Sequence, residues 1–193
     1  MRIVVPVKPL ALAKSRLGPT LSGSQRMNLM LRLFDRVIGE ALQVAPVSVV
    51  TADQDLSRRA LAAGAAVIDE GRATGLNAAA RLAARRLRQA GEAQMLILAA
   101  DLPDVSADAL GKLVNLYGPG RLVITGSRDG GTNAMAMDLG REFVFAYGAA
   151  SFSRHCLQGR AAGLSVLQHA CPLISHDLDY PDDLQGRSAL WAA

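Results

Sequence analysis

Aromatic residues are scarce in this chain: four Phe, three Tyr and one Trp make up 4% of it. Proteins that grip single-stranded nucleic acid interleave cations with aromatic stacking platforms. No such interleaving occurs here, so nucleic acid is not expected as a partner. The net charge of +4 fits an anionic small molecule just as well. The densest basic run, RLAARRLRQ at 81–89, spaces Leu and Ala as an amphipathic helix with a solvated cationic face.

Long apolar runs are missing too. MLILAA falls far short of the roughly 20 residues of a membrane span, and the N-terminal residues lack the long apolar stretch and small-residue cleavage site of a secretory signal. The expectation is a cytoplasmic protein without a membrane partner. Cysteine is limited to Cys156 and Cys171, which a reducing compartment keeps as free thiols. Several chemical signatures are absent: no G-x-x-x-x-G-K-[ST] loop, no G-x-G-x-x-G after the first strand, no G-x-S-x-G elbow, and no Cys/His metal spacing. His155, His169 and His176 stand alone in sequence, and each reads as a structural or surface residue.

What is present is a regular alternation. RIVVPV reads as a first strand, and SQRMNLMLRLFDRVIGEAL as a helix with Met27, Met30, Phe34, Val37, Ile38 and Ala41 on one stripe, capped by Ser22 or Ser24. VSVVT, AAVID, QMLILAAD and RLVITG read as further strands. Between them lie a helix capped by Asp53 and stopped by Gly64, the helix LNAAARLAARRLRQAG, and the helix of VSADALGKLVNLYG with Ser106 as its cap. Unbroken apolar strands alternating with amphipathic helices predict an α/β fold: a mostly parallel sheet with helices on both faces. From residue 128 the rhythm changes. A Gly-rich stretch precedes an alternating one, YGAASFSRHCLQGRAAG leads from loop into helix, and SVLQHA and LISHDLDYPDDL read as late strands. No linker or repeat divides the 193 residues, half of them hydrophobic, so a single domain over 1–193 is expected.

Open α/β sheets bind ligands beyond the carboxyl ends of their strands. QMLILAAD ends there in Asp101, followed by a chain-turning Pro, while Ser106 is free to cap the next helix. In HDLDYPDD, Asp177 and Asp179 are two apart and share a face in an extended segment. With Asp101 they offer the hard oxygens that Mg²⁺ prefers; the alternative is surface pairing with Lys or Arg. GGTNA, with Thr132 and Asn133, can hold phosphate or carboxylate oxygens. Gly148 precedes Ser151, which either opens an anion-binding helix N-terminus or simply caps that helix. Lys8, Lys14 and Arg16 follow the first strand and suit a polyphosphate. The combination describes Mg²⁺-dependent phosphoryl-transfer chemistry.

PVKPLALAKSRL, LILAADLP, GGTNAM, GAASFSRH and HDLDYPDDL, in this order across nearly the whole chain, resemble the guanylyltransferases of deazaflavin coenzyme F-420 biosynthesis. That family acts on 2-phospho-L-lactate, phosphoenolpyruvate or 3-phospho-D-glycerate. The resemblance implies a single-domain Rossmann-like nucleotidyltransferase. In it the phosphate of a small phosphorylated carboxylic acid attacks the α-phosphorus of GTP and releases pyrophosphate, with no covalent enzyme intermediate. By matching position it implies that Asp101, Asp177 and Asp179 hold Mg²⁺, and that Thr132, Gly148 and Ser151 bind the phospho-acid. Lys8, Lys14 and Arg16 would hold the triphosphate, with Lys14, Arg16 and Asp101 catalytic, and Glu70, Gly75 and Asn77 would lie near the nucleoside. Leu178 and Tyr180 are positions where the family's pattern varies. An apolar surface on the late strands is compatible with a homodimer. Two other readings compete. Cytidylyl- or molybdenum-cofactor nucleotidyltransferases usually open with a GxGxR loop that is absent here, and a GTP-binding regulator without chemistry has no need of three converging carboxylates.

Overall fold

The computed structural model describes residues 1–191. One seven-stranded sheet forms its centre, in the order β3-β2-β1-β4-β6-β5-β7. The strands are β1 (Arg2–Pro6), β2 (Val47–Thr51), β3 (Ala66–Asp69), β4 (Gln94–Leu98), β5 (Arg121–Gly126), β6 (Thr132–Asp138) and β7 (Ser165–Gln168). The main helices are α1 (Gly23–Leu42), α2 (Gln54–Ala62), α3 (Leu76–Gln89), α4 (Ala107–Leu116) and α5 (Ser151–Ala161), with a short α6 (Pro172–Ser175) near the end. The expected α/β class is found, and its mostly parallel sheet carries one reversal: β6 runs antiparallel to both β4 and β5. Only five residues separate β5 from β6, too few for the crossover a parallel pair needs. Gly130, at φ 84°, takes a left-handed conformation open to glycine at little cost.

Alternation along β1 sorts its side chains onto two faces. Ile3 and Val5 join Phe34, Val37 and Ile38 of α1 and Leu110 and Leu113 of α4. Val4 points the other way, to Ala80, Ala83 and Ala84 of α3 and to Met135 and Met137. Helix α1 begins in a capping box, with Ser22 accepting from the Gln25 N–H and Gln25 from the Ser22 N–H, worth about 1 kcal/mol. Its buried face differs from the expected stripe at three positions. Met27 is exposed, while Leu29 and Leu33 are buried under Leu17, Leu21, Leu178 and Leu184. The C-terminal segment covers this second side of the helix.

That segment is the main correction to the secondary structure. LISHDLDYPDDL is not a strand: it holds the end of α6, then an unpaired extended stretch, then a 3-10 turn over Pro181–Leu184. Pro172 and Pro181 open those two turns and have no N–H to give to a ladder. No helix among the described residues is long and apolar enough to cross a membrane.

Helix α5 lies so close to the sheet that a Cβ on Gly159 would stand 2.6 Å from Leu122 Cδ2 and 3.0 Å from Val166 Cγ2. Leu122 is fully buried and has little room to yield. Gly159→Ala would ordinarily stabilise a helix interior by up to about 1 kcal/mol. Here overpacking should outweigh that gain, giving a net loss of about 1–2 kcal/mol. Urea denaturation should show a lower midpoint at unchanged slope, and a raised midpoint would refute the close packing.

Candidate functional site

After β1 the chain makes two 3-10 turns, Leu10–Leu12 and Ser15–Leu17, and Lys14 sits between them in the left-handed region at φ 51°, ψ 37°. Among the described non-glycine residues, only Lys14 and Ala150 have positive φ. Each costs on the order of 1–2 kcal/mol, and both lie in segments that build the site. The conformation turns the Lys14 side chain inward, where it is buried. Its Nζ donates to Asp101 Oδ2 at 2.5 Å and to Asp179 Oδ1 at 2.9 Å. Burial works against the ammonium charge, but the two carboxylates outweigh it and raise the pKa above its ordinary value.

Asp179 accepts on both oxygens. Arg16 Nη1 donates to Oδ2 at 3.0 Å, with its guanidinium 5.2 Å from the centre of the Tyr180 ring. Burial would push the Asp179 carboxyl up, yet Lys14 and Arg16 hold it below its usual range. Asp183 fixes this loop by accepting from the backbone N–H groups of Asp179 at 3.0 Å and Tyr180 at 2.8 Å. Arg187 grips Asp104 through both nitrogens, at 2.8 and 2.5 Å, tying the C-terminal segment to the loop after β4. Asp177 is different: the side-chain bond it accepts is long, from Asn133 Nδ2 at 3.4 Å. Burial and the Asp101 charge push its carboxyl up to about 6.

A cavity of about 350 Å³ opens over the strand ends, lined among others by Lys8, Lys14, Glu70, Gly75, Asp101 and Thr132. Residues expected for the nucleotide and for the second substrate therefore meet in one chamber, with Asp101 and Asp179 on its wall. Asp177 lines an adjoining recess of about 330 Å³ with Asp179, Asp182, Asp183 and Arg128. Besides Asp177, four expected residues stand outside the cavity lining. Arg16 is exposed on the far side of Asp179. Asn77 spends its amide on the Tyr147 backbone, accepting from the N–H at 2.7 Å and donating to the carbonyl at 3.2 Å. Gly148, at φ 116°, turns the chain into α5, its carbonyl accepting from the Ser151 N–H. Ser151 is buried and its hydroxyl donates to Thr132 Oγ1 at 3.1 Å. The helix-cap reading of Ser151 is corrected: the cap position is Ala150, without a side-chain bond, and Ser151 is the first helical residue.

Among the described residues, no three His, Cys, Asp or Glu side chains form a ready metal cage. Mg²⁺ does not need one, because it binds through one or two carboxylates and completes its shell with water and phosphate oxygens. Asp101 and Asp177 fit that requirement. Their charges repel, Asp101 gives only Oδ2 to Lys14, and Asp177 is weakly satisfied. Asp179, expected as a third ligand, has each oxygen engaged by one cation, Lys14 on Oδ1 and Arg16 on Oδ2, and keeps a further lone pair on each.

A family profile described as "Guanylyl transferase CofC like" matches residues 1–187. The chain is 36% identical to a phosphoenolpyruvate guanylyltransferase of Sphaerobacter thermophilus over 187 residues, covering 94% of this chain and 89% of that protein. It is 39% identical to a 3-phospho-D-glycerate guanylyltransferase of Phenylobacterium zucineum over 178 residues, covering 89% and 82%. A crystal structure from Desulfovibrio desulfuricans G20, described as a nucleotide-diphospho-sugar transferase, superposes with a TM-score of 0.75 at 21% identity, covering 95% of this chain and 84% of that one. This last likeness concerns the fold.

The Asp177 carboxyl should titrate near 6 in a ¹³C NMR experiment without divalent cations. Its folded pKa lies above the unfolded one, so the native state holds the proton more tightly. The stability linked to this group therefore falls as pH rises from about 4 to about 6 and then levels off. Asp101→Asn removes one of the raising charges and should bring the Asp177 midpoint down. A midpoint in the ordinary carboxylate range in the unmutated protein would contradict the described burial.

Proposed function

The chain belongs to the CofC-like guanylyl transferase family, and from that premise we propose that it transfers GMP from GTP to the phosphate of a three-carbon phospho-acid, in coenzyme F-420 biosynthesis. The observation that carries the reading is one cavity lined by Lys8, Lys14, Glu70 and Gly75 together with Thr132. Two ligands in one chamber can react directly. A phosphate oxygen of the phospho-acid attacks the α-phosphorus of GTP, the new P–O bond forms as the bond to the β-phosphate oxygen breaks, and pyrophosphate leaves with the electron pair. The attacking phosphate is already anionic near neutral pH, so no general base is required.

The chain's own residues then need to position and neutralise. Lys8 and Lys14 face the polyphosphate. Gly75 and the first turn of α3 offer backbone N–H groups at the cavity wall, with Glu70 nearby for the nucleoside. Thr132 meets the phospho-acid, supported from behind by Ser151. Asp101 and Asp177 would hold a Mg²⁺ ion, with Asp179 beside them, and the ion would supply positive charge to offset that of the phosphates. Asp179 keeps Lys14 and Arg16 in place.

Pyrophosphate release from each pairing of GTP, CTP, ATP or UTP with phosphoenolpyruvate, 3-phospho-D-glycerate or 2-phospho-L-lactate tests the reading. Release is expected with GTP and at least one phospho-acid; none with any pair would overturn it. Asp101→Asn should retain the fold by circular dichroism and lower kcat by about a hundredfold or more at saturating Mg²⁺.

A further inference from the structure

His155 is buried at the heart of α5, with 0% of its surface exposed, and the mechanism above makes no use of it. Both ring nitrogens are nonetheless engaged. The Ala146 N–H donates to Nε2 at 2.9 Å, and Nδ1 lies 3.0 Å from Thr132 Oγ1. A backbone N–H can only donate, so Nε2 carries the lone pair, and the proton of the neutral ring is on Nδ1. The Nδ1–H therefore donates to Thr132 Oγ1.

A threonine hydroxyl has one proton and two lone pairs. His155 fills one lone pair, and the Ser151 hydroxyl fills the other from 3.1 Å. The Thr132 proton is left with nowhere inside this cluster to go, and Thr132 lines the cavity. The hydroxyl is thus presented to a ligand as a donor only.

We propose that His155 is a positioning residue that fixes Thr132 as an obligate hydrogen-bond donor to an anionic oxygen, phosphate or carboxylate, of the phospho-acid. This rests on the reading that Thr132 faces that substrate.

The surroundings hold the ring in this role. Burial, with the Arg154 charge nearby, pushes the His155 pKa down to about 4, so the ring stays neutral around pH 7 and Nε2 keeps its lone pair. The Tyr147 ring packs edge-on at 4.6 Å between centroids and 71°, and the Phe143 ring lies at 5.9 Å. Ala146 is kept in place by its neighbour Tyr147, whose backbone is clamped on both sides by Asn77. A run of contacts thus leads from α3 through the loop before α5 to one hydroxyl in the cavity. Ser151 and His155, one helical turn apart, converge on that hydroxyl from the same face of α5.

Long-range ¹H–¹⁵N correlation on the unmutated chain reads the tautomer directly: protonation at Nδ1 is expected, and protonation at Nε2 overturns the proposal without any variant having to fold. Kinetics supply the second arm. His155→Gln can reach Ala146 but offers no donor where Nδ1 stood. It should raise the phospho-acid KM about five- to tenfold, the size of one hydrogen bond, while the GTP KM changes by less than about twofold. His155→Asn places an amide nitrogen at the Nδ1 position and should recover most of the loss, which a purely structural role would not allow. Thr132→Val separates the two levels. If it raises the phospho-acid KM but His155→Gln does not, His155 has no positioning role. If Thr132→Val itself leaves that KM unchanged, the placement of the phospho-acid falls, and this inference with it.

Discussion

A buried ammonium between two carboxylates organises this molecule. Lys14 comes from the loop after β1, Asp101 from the end of β4 and Asp179 from the C-terminal segment. Without that cation, three acids would converge at the strand ends with nothing to offset their repulsion. Without the acids, a buried lysine would lose its charge or leave the interior. The left-handed backbone at Lys14 is a local cost that the two ion pairs offset. The same contact explains why the C-terminal segment needs no ladder. Its loop is pinned to Lys14 and Arg16 through Asp179, and its apolar residues Leu178 and Leu184 cover the flank of α1.

The site has two depths, and charge is distributed between them. At the cavity wall stand groups suited to anions: Lys8, Lys14, the α3 N-terminus and the Thr132 hydroxyl. Behind them stand groups whose hydrogen bonds stay within the protein. Asn77 joins α3 to the loop before α5, Asp183 holds the Asp179 backbone, and Ser151 fills a lone pair of Thr132. Asp177 belongs to neither set. It is a half-buried acid with little compensation, its carboxyl pushed up to about 6 by burial and by Asp101, which is the electrostatic condition under which a cation is welcome.

The alternation of elements is legible in the sequence because buried strands and amphipathic helices have different hydrophobic periods, and the caps Ser22, Asp53 and Ser106 all act as read. Strand direction is not legible in the same way. The interior of β6 is buried throughout, like those of β4 and β5 on either side, and only the shortness of the glycine-rich connection hints at the reversal. Depth is hidden as well. Thr132 and Ser151 carry the same chemistry, and spacing alone does not say which faces the cavity and which stands behind it. His155 escapes because a lone histidine is ordinarily structural. The available signal was its position four residues after Ser151, which puts both on one helix face, together with the Thr132 hydroxyl it could meet only once β6 was placed.

The reversal of β6 has a consequence for chemistry. In a parallel sheet, every strand offers its carboxyl end to the ligand side. An antiparallel strand between two of them offers its amino end instead. Ala134 pairs with Leu98 at the top of β4, and the Asn133 carbonyl accepts from the Ala99 N–H at 2.7 Å. Thr132 and Asn133 are thereby carried to the rim occupied by Asp101, two residues beyond Ala99. The hairpin that forces the reversal also supplies the glycine-rich turn beside them, and α5 packs its first turn against that turn, the Phe152 N–H donating to the Gly130 carbonyl. One reversed strand thus carries the Thr132 hydroxyl to the cavity that Lys8, Lys14 and Asp101 also line. On the proposed reading, that proximity would let one bound substrate attack the other directly, with no nucleophilic side chain required.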